Sequence, residues 1–185
     1  PKIFWFIFTN TMRIIAGTHR GRRINPPSNL PVRPTTDRAK ESLFSIIDNG
    51  YYFEDRTVLD LFCGTGNISF EFASRGVEKV TSVDNNKNCI NFIDKTAEQM
   101  QLNISTIKAD GLKFVERCKQ QFNFIFADPH YDYKNYQKLK ETIIVNKLIA
   151  KDGLLIIEHD KETIFTDENV SVRKYGTVHF SIFSF

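Results

Sequence analysis

Residues Thr57–Glu71, TVLDLFCGTGNISFE, decide how the rest of the chain is read. Val58, Leu59, Leu61 and Phe62 are apolar or β-prone, the composition of a strand buried on both faces. Gly64 and Gly66 follow, where the chain can turn tightly and bring its backbone close to a ligand. From Ile68 to Arg75 the residues suit a helix, and Gly76 marks its C-terminal stop. A strand, a Gly-x-Gly turn and a helix N-terminus together make a nucleotide-shaped site.

Charge narrows the choice of nucleotide. A dinucleotide fingerprint needs a small residue three positions after the second glycine, and Ser69 is small enough. Asp60, however, sits at the strand end just before the turn, where a carboxylate repels a pyrophosphate. The same carboxylate suits S-adenosylmethionine, which carries a sulfonium and an ammonium and no phosphate. The pattern D-x-F-x-G-x-G, from Asp60 through Phe62 and Gly64 to Gly66, resembles motif I of class I S-adenosylmethionine-dependent methyltransferases. The plainer alternative is a glycine turn in an α/β protein with no ligand.

The chain has 185 residues, enough for one domain with its own core. Its hydrophobic share of 41% is modest, but 17 phenylalanines supply bulk for that core. Cys63, Cys89 and Cys118 are dispersed without metal-ligand spacing, which points to reduced thiols and a cytoplasmic setting and against a disulfide framework. Cys63 reads as a small packing residue. The net charge is only +3, but from Arg13 to Lys40 seven basic residues face Asp37 alone, leaving the remainder net acidic. Such a split suggests a polyanion met by one face.

Taken in order, residues 1–11 read as a leader of uncertain role, with Met12 the natural beginning, or as an additional edge strand; the apolar run Ile3–Phe8 is too short to span a membrane. Residues 12–50 read as a basic extension: a β-hairpin over Arg13–Ile24, a stiff proline-rich connector over Asn25–Pro34, then a helix capped by Thr35 or Thr36 and ended by Gly50. Residues 51–185 carry the catalytic domain. Beyond the glycine turn, strands are expected at Lys79–Val83, Ile104–Lys108, Phe122–Ala127 and Gly153–Ile157. Helices are expected at Asn86–Met100, Leu112–Lys119 and Tyr136–Ala150, and two antiparallel strands near Val170–Lys174 and Val178–Phe183 close the chain. Repeated βα units predict an α/β, Rossmann-like doubly wound, mostly parallel seven-stranded sheet with an N-terminal hairpin and helix extension.

In such a sheet, ligands lie at the carboxyl ends of the strands. Asp60, Asp84 and Asp110 occupy three of those ends. Asp84, 18 residues past Gly66, is placed to accept both ribose hydroxyls. Asp110 could accept the adenine amine beside the Gly111 backbone, and Asp60 could orient the methionine ammonium. Each alone could be an ordinary cap or loop aspartate; three at consecutive strand ends are harder to dismiss.

The second motif is Asp128-Pro129-His130-Tyr131, directly after a strand, and it resembles the (D/N)-P-P-(Y/F) motif of amino-group methyltransferases. An exocyclic base amine is a poor nucleophile because its lone pair is delocalised into the ring. Two acceptors, the Asp128 carboxylate and the Pro129 carbonyl, could bind its hydrogens and favour a tetrahedral nitrogen. Tyr131 could stack on the flipped base, worth about 1–3 kcal/mol. No metal is needed for this chemistry.

From Met12 onward the chain resembles the RsmD type of 16S ribosomal RNA guanine-N2 methyltransferases. The resemblance rests on RIIAGTHRGRRI, VRPTTDRAKESLF, DLFCGTGNISFEFASRG, the Asp84 strand end, DPHYDY, Glu158 and Tyr175-Gly176. It implies methyl transfer from S-adenosylmethionine, leaving S-adenosylhomocysteine, to one guanine of small-subunit RNA on a 30S particle or an assembly intermediate. It also implies RNA contact by Arg20, Arg22, Arg23, Arg33, Arg38 and Lys40, for which a solvated charged face is the plainer reading; a monomer with no membrane association is expected. His130 departs from the usual proline but removes neither proposed acceptor. Two other functions fit parts of the pattern: a DNA adenine-N6 methyltransferase, and a non-catalytic RNA-binding assembly factor that retains the cofactor.

Overall fold

The computed structural model describes residues 11–28, 30, 36–130 and 132–185. The leader up to Asn10, half of the proline connector including Arg33, Thr35 and Tyr131 lie outside the described residues. Strands β1 (Met12–Arg13) and β2 (Arg23–Ile24) pair antiparallel as a short hairpin. Helix α1 (Asp37–Asp48) starts at Thr36, whose hydroxyl accepts from the Ala39 amide, and Asp37 occupies its first turn. The α/β repeat then runs β3 (Thr57–Leu61), α2 (Asn67–Ser74), β4 (Lys79–Asp84), α3 (Lys87–Met100), β5 (Ile104–Lys108), α4 (Gly111–Arg117), β6 (Phe122–Ala127), α5 (Tyr136–Val145) and β7 (Ile149–His159). Strands β8 (Val170–Tyr175) and β9 (Val178–Ser184) complete it.

The seven-stranded sheet has the order β5-β4-β3-β6-β7-β9-β8, parallel from β5 to β7, with β9 antiparallel to both its neighbours. The expected doubly wound, mostly parallel sheet is therefore present. Chain order reverses between β3 and β6, so the crevice for a ligand opens there, past their carboxyl ends.

Alternation along the strands sorts the core into two layers. Val58, Phe124, Phe126, Ile156 and Phe180 pack under α1 and α2, against Leu43, Phe44, Ile47 and Phe72. Leu59, Leu61, Ile125, Leu155 and Ile157 face the other way, against Val115 of α4 and Leu139 and Ile143 of α5. Helix α1 thus shares the main core with the sheet. The hairpin builds a third cluster with α3, through Met12, Ile14 and Ile24 against Ile90, Ile93, Ala97 and Met100.

The hairpin is fastened to α2 by polar groups as well. Ile15 and Ala16 donate their amides to the buried Glu71 carboxylate at 2.8 and 3.1 Å, and Thr18 donates to the Ser74 carbonyl at 2.8 Å. Gly17, at φ +82°, lies so close that any side chain would collide with the Ser74 carbonyl.

Two boundaries differ from expectation by more than two residues. The helix expected to reach Ala150 stops at Val145, because Lys147 adopts φ +53° and Leu148 turns back to donate to the Ile143 carbonyl. Strand β7 begins before Gly153, with a bulge opposite Phe122–Phe124.

Candidate active site

Three acids reach the crevice by the same two-residue step. Val58, Phe126 and Ile156 lie in the core layer under α1 and α2. Two residues further along each chain, on the same face, stand Asp60, Asp128 and Glu158. Register staggers them: Asp60 is level with Phe126, and Phe126 with Ile156. Asp60 therefore lies one pleat deeper, and Asp128 and Glu158 stand side by side above it. The Asp128 amide still donates to the Leu61 carbonyl, which ties this residue to β3 beyond the strand's end.

These acids line a cavity of about 1060 Å³ at the carboxyl ends of the strands. Phe62, Gly64, Asp84, Gly111 and Pro129 line it too, together with Arg38 from α1 and the β8–β9 turn at 174–178. Most of the residues expected from sequence to bind cofactor or to act on substrate are thereby brought to one place.

Each is held by identifiable contacts. Asp60 is 1% exposed and accepts from the Ser69 hydroxyl, which also meets the Ser82 hydroxyl at 2.7 Å. Burial raises its pKa to about 7; the Ser69 bond opposes that rise and the nearby Asp128 adds to it. Asp84 accepts from the Gly64 amide at 2.9 Å and from the Asn86 amide at 2.8 Å, so both carboxylate oxygens are oriented by backbone while retaining further lone pairs. Burial, then the neighbouring Glu158, pushes the Asp128 carboxyl well above the usual carboxylate range.

Phe62 has φ +59°, and its ring covers Gly111 so closely that a Cβ there would stand 2.6 Å from Cζ. The same ring meets Tyr133 and His130 edge-on at 5.4 and 6.2 Å, and His130 meets Tyr133 at 6.2 Å. A packed ring thus occupies the place of the second proline, and the His130 carbonyl accepts from the Tyr133 amide at 2.8 Å.

Gly66 and Asp110 are placed differently from their neighbours. Gly66, at φ +78°, backs onto the core, where a Cβ would approach Ile93 at 2.9 Å. The Asp110 carboxylate caps α4 by accepting from the Lys113 amide at 2.9 Å and is outside the cavity lining.

Lys40 requires a correction. It was expected at an RNA surface, yet it is 1% exposed. Its ammonium donates to the Arg13 carbonyl at 2.7 Å and to Asn67 at 2.8 Å and lies 3.5 Å from Glu71. The helix stripe that buries Leu43 and Phe44 carries Lys40 inward with it, so it braces the hairpin and cannot reach a phosphate. Arg20, Arg22, Arg23 and Arg38 are exposed and, among the described residues, form no ion pair. Arg22 and Arg23 also line a second cleft of about 680 Å³ against α3, beside Asn88, Asn91, Phe92 and Lys95, with no acid in its lining.

Sequence reasoning overlooked Ser69 as the partner of Asp60, Glu71 as the anchor of the hairpin, and the cavity-lining role of the 174–178 turn. The Ser69 position was visible as a small residue in the turn; the buried partner of Glu71 was not. Among the described residues, no group of three or more His, Cys, Asp or Glu side chains is arranged to hold a metal ion, and no helix is long and apolar enough to cross a membrane.

The family model described as conserved hypothetical protein 95 matches residues 12–184. The chain belongs to that family. The resemblance to RsmD-type methyltransferases is borne out by its relatives. "Putative rRNA methyltransferase YlbH" of Bacillus subtilis is 31% identical over 156 residues, covering 82% of this chain and 84% of that protein. "Ribosomal RNA small subunit methyltransferase D" of Haemophilus influenzae is 29% identical over 172 residues, covering 90% and 88%. A solved structure titled "putative methylase" from Haemophilus influenzae superposes with a TM-score of 0.76 at 26% identity, covering 94% of this chain and 98% of that one.

Proposed function

We propose that this member of the family transfers a methyl group from S-adenosylmethionine to the exocyclic N2 amine of a guanine in small-subunit ribosomal RNA. One observation carries the reading: Asp128-Pro129, at the end of β6, opens into the same cavity as the Gly64 turn and Asp84. The relatives named as small-subunit ribosomal RNA methyltransferases support the substrate class.

The residues present fit the cofactor. Asp60 and Asp84 give the cofactor's part of the cavity an acidic floor, which favours a cation and disfavours a phosphate. Asp84, already oriented by two amides, has lone pairs for ribose hydroxyls, and the Gly111 backbone and Phe62 ring offer an apolar wall for an adenine. When bound, S-adenosylmethionine supplies an electrophilic methyl on positively charged sulfur.

The chain's own contribution is positioning and electrostatics. The Asp128 carboxylate accepts one amine hydrogen and the Pro129 carbonyl the other, so the nitrogen lone pair is aimed across the cavity. As the carbon–nitrogen bond forms and the carbon–sulfur bond breaks, the amine must lose one proton. Asp128, which already accepts one of the amine hydrogens, is placed to take it. The target base must leave its stack to reach this depth. Exposed Arg20, Arg22, Arg23 and Arg38 would hold the surrounding phosphates, with residues 12–50 as the RNA-contacting extension and Arg33 and Tyr131 as further contacts. A monomer acting in the cytoplasm on a 30S particle or its precursor completes the reading.

The test is nucleoside mass spectrometry after incubating purified protein and cofactor with small-subunit particles from cells lacking the gene. Formation of N2-methylguanosine is expected. Methyl label found only in duplex DNA adenine, or cofactor binding without transfer, would overturn the proposal.

A further inference from the structure

We infer that Glu158 selects guanine by accepting its N1–H, while Asp128 holds the adjacent amine. This rests on the guanine reading above and adds a residue to it. The motif Asp128-Pro129 alone does not distinguish bases, because adenine also presents an exocyclic amine. The neighbouring group does.

The geometry is set by the sheet. Ala127 of β6 pairs with Ile157 of β7, so the next residues, Asp128 and Glu158, stand on adjacent strands at the same level. Adjacent strands are about 4.8 Å apart. Both side chains line the one cavity, and Glu158 is close enough to raise the Asp128 pKa. Glu158 is itself fixed from the other side, where its backbone pairs with Phe180 of β9.

On its Watson–Crick edge guanine carries two neighbouring donors, N1–H and N2–H. The oxygens of a carboxylate pair offer acceptors to both. An edge with donors at both positions matches this pair. Adenine, with its amine held at Asp128, would turn the lone pair of its N1 toward Glu158. Two acceptors would then face each other in a desolvated cavity, and a site built around a hydrogen bond strongly rejects the partner that lacks it. Glu158 thus touches the base and is a specificity-determining residue, with no part in moving the methyl group.

The experiment compares wild type with Glu158→Gln on small-subunit particles reconstituted with RNA. The methylated position, mapped by the wild-type reaction, carries either guanine or 2-aminopurine. 2-Aminopurine keeps the amine at C2 but has a lone pair at N1. Wild type should prefer guanine by about 100-fold or more in kcat/KM. Glu158→Gln should lose about 10- to 100-fold on guanine. Its preference for guanine should shrink at least about tenfold, because the glutamine amide can donate to N1. Affinity for S-adenosylhomocysteine, measured by calorimetry, should stay within about threefold, well under the effect of losing a charged hydrogen bond.

An unchanged preference, with equal loss on both bases, would make Glu158 merely structural and overturn the inference. A drop in cofactor affinity that accounts for the whole loss would also overturn it, by placing Glu158 among the cofactor's contacts. If wild type forms N2-methylguanosine and either result follows, only Glu158 leaves the scheme. If wild type forms none, the guanine reading fails and takes this inference with it.

Discussion

The two ends of the cavity are built on opposite electrostatic plans. At the β3–β4 end the chain supplies its own donors: the Gly64 and Asn86 amides converge on Asp84, and the Cys63 amide is taken by the Val83 carbonyl. At the β6–β7 end it places Asp128 beside Glu158, like charges on neighbouring strands, with Asp60 beneath them. The first arrangement is settled before anything binds and can act as a template for a ligand's shape. The second sets two acids side by side, which raises the Asp128 pKa, and on the proposed function it would answer a substrate edge that brings donors.

That contrast can be broken from either side. The largest effect is expected from Asp128→Ala, which should lower kcat by about 10²–10⁴-fold while leaving cofactor affinity nearly intact. Normal turnover in that variant would remove the amine-holding role from the β6 end. Asp84→Ala should do the reverse, weakening S-adenosylmethionine binding by about 10- to 100-fold in calorimetry, with kcat largely recovered at saturating cofactor.

Asp60 links the two ends through pH. Its folded pKa of about 7 lies above the usual carboxylate value, so the stability it contributes in acid is lost as pH rises toward 7. A bound cation favours the ionised form, so binding should release a proton. Below about pH 7, affinity for S-adenosylmethionine should fall by up to about tenfold per pH unit. Asp60→Asn should flatten that profile, and a slope that persists in the variant would assign the proton to another group. The smallest effect belongs to the rim: Arg22→Ala with Arg23→Ala should reduce the salt dependence of RNA binding by about 0.7–0.9 in log–log slope for each phosphate no longer neutralised. An unchanged slope would return the hairpin to a solvated face.

What was legible in the sequence follows from how far each cause reaches along the chain. Strand-end acids such as Asp60, Asp84 and Asp128 could be placed because apolar runs, turns and helices repeat at short range. Asp128-Pro129 could be assigned a chemistry because both acceptors are consecutive. Lys40 was misplaced because its partner, Glu71, lies on another helix, and a lysine beside Arg38 gives no local sign of burial. The end of α5 was missed because the left-handed residue there is Lys147, and no glycine announces the stop. Glu158 is among the residues that carry the family resemblance, yet its place beside Asp128 depends on which strands become neighbours, which periodicity alone does not specify.

Helix α2 joins two functions that are usually discussed apart. Its first residue follows the glycine turn, and its last, Ser74, grips the arginine hairpin. Eight residues of helix span about 12 Å. The helix therefore fixes the distance between the arginine hairpin and the glycine turn, and on the proposed function that distance would help decide which nucleotide of a held RNA reaches the cavity. A nucleotide of the right kind at the wrong reach would go unmodified.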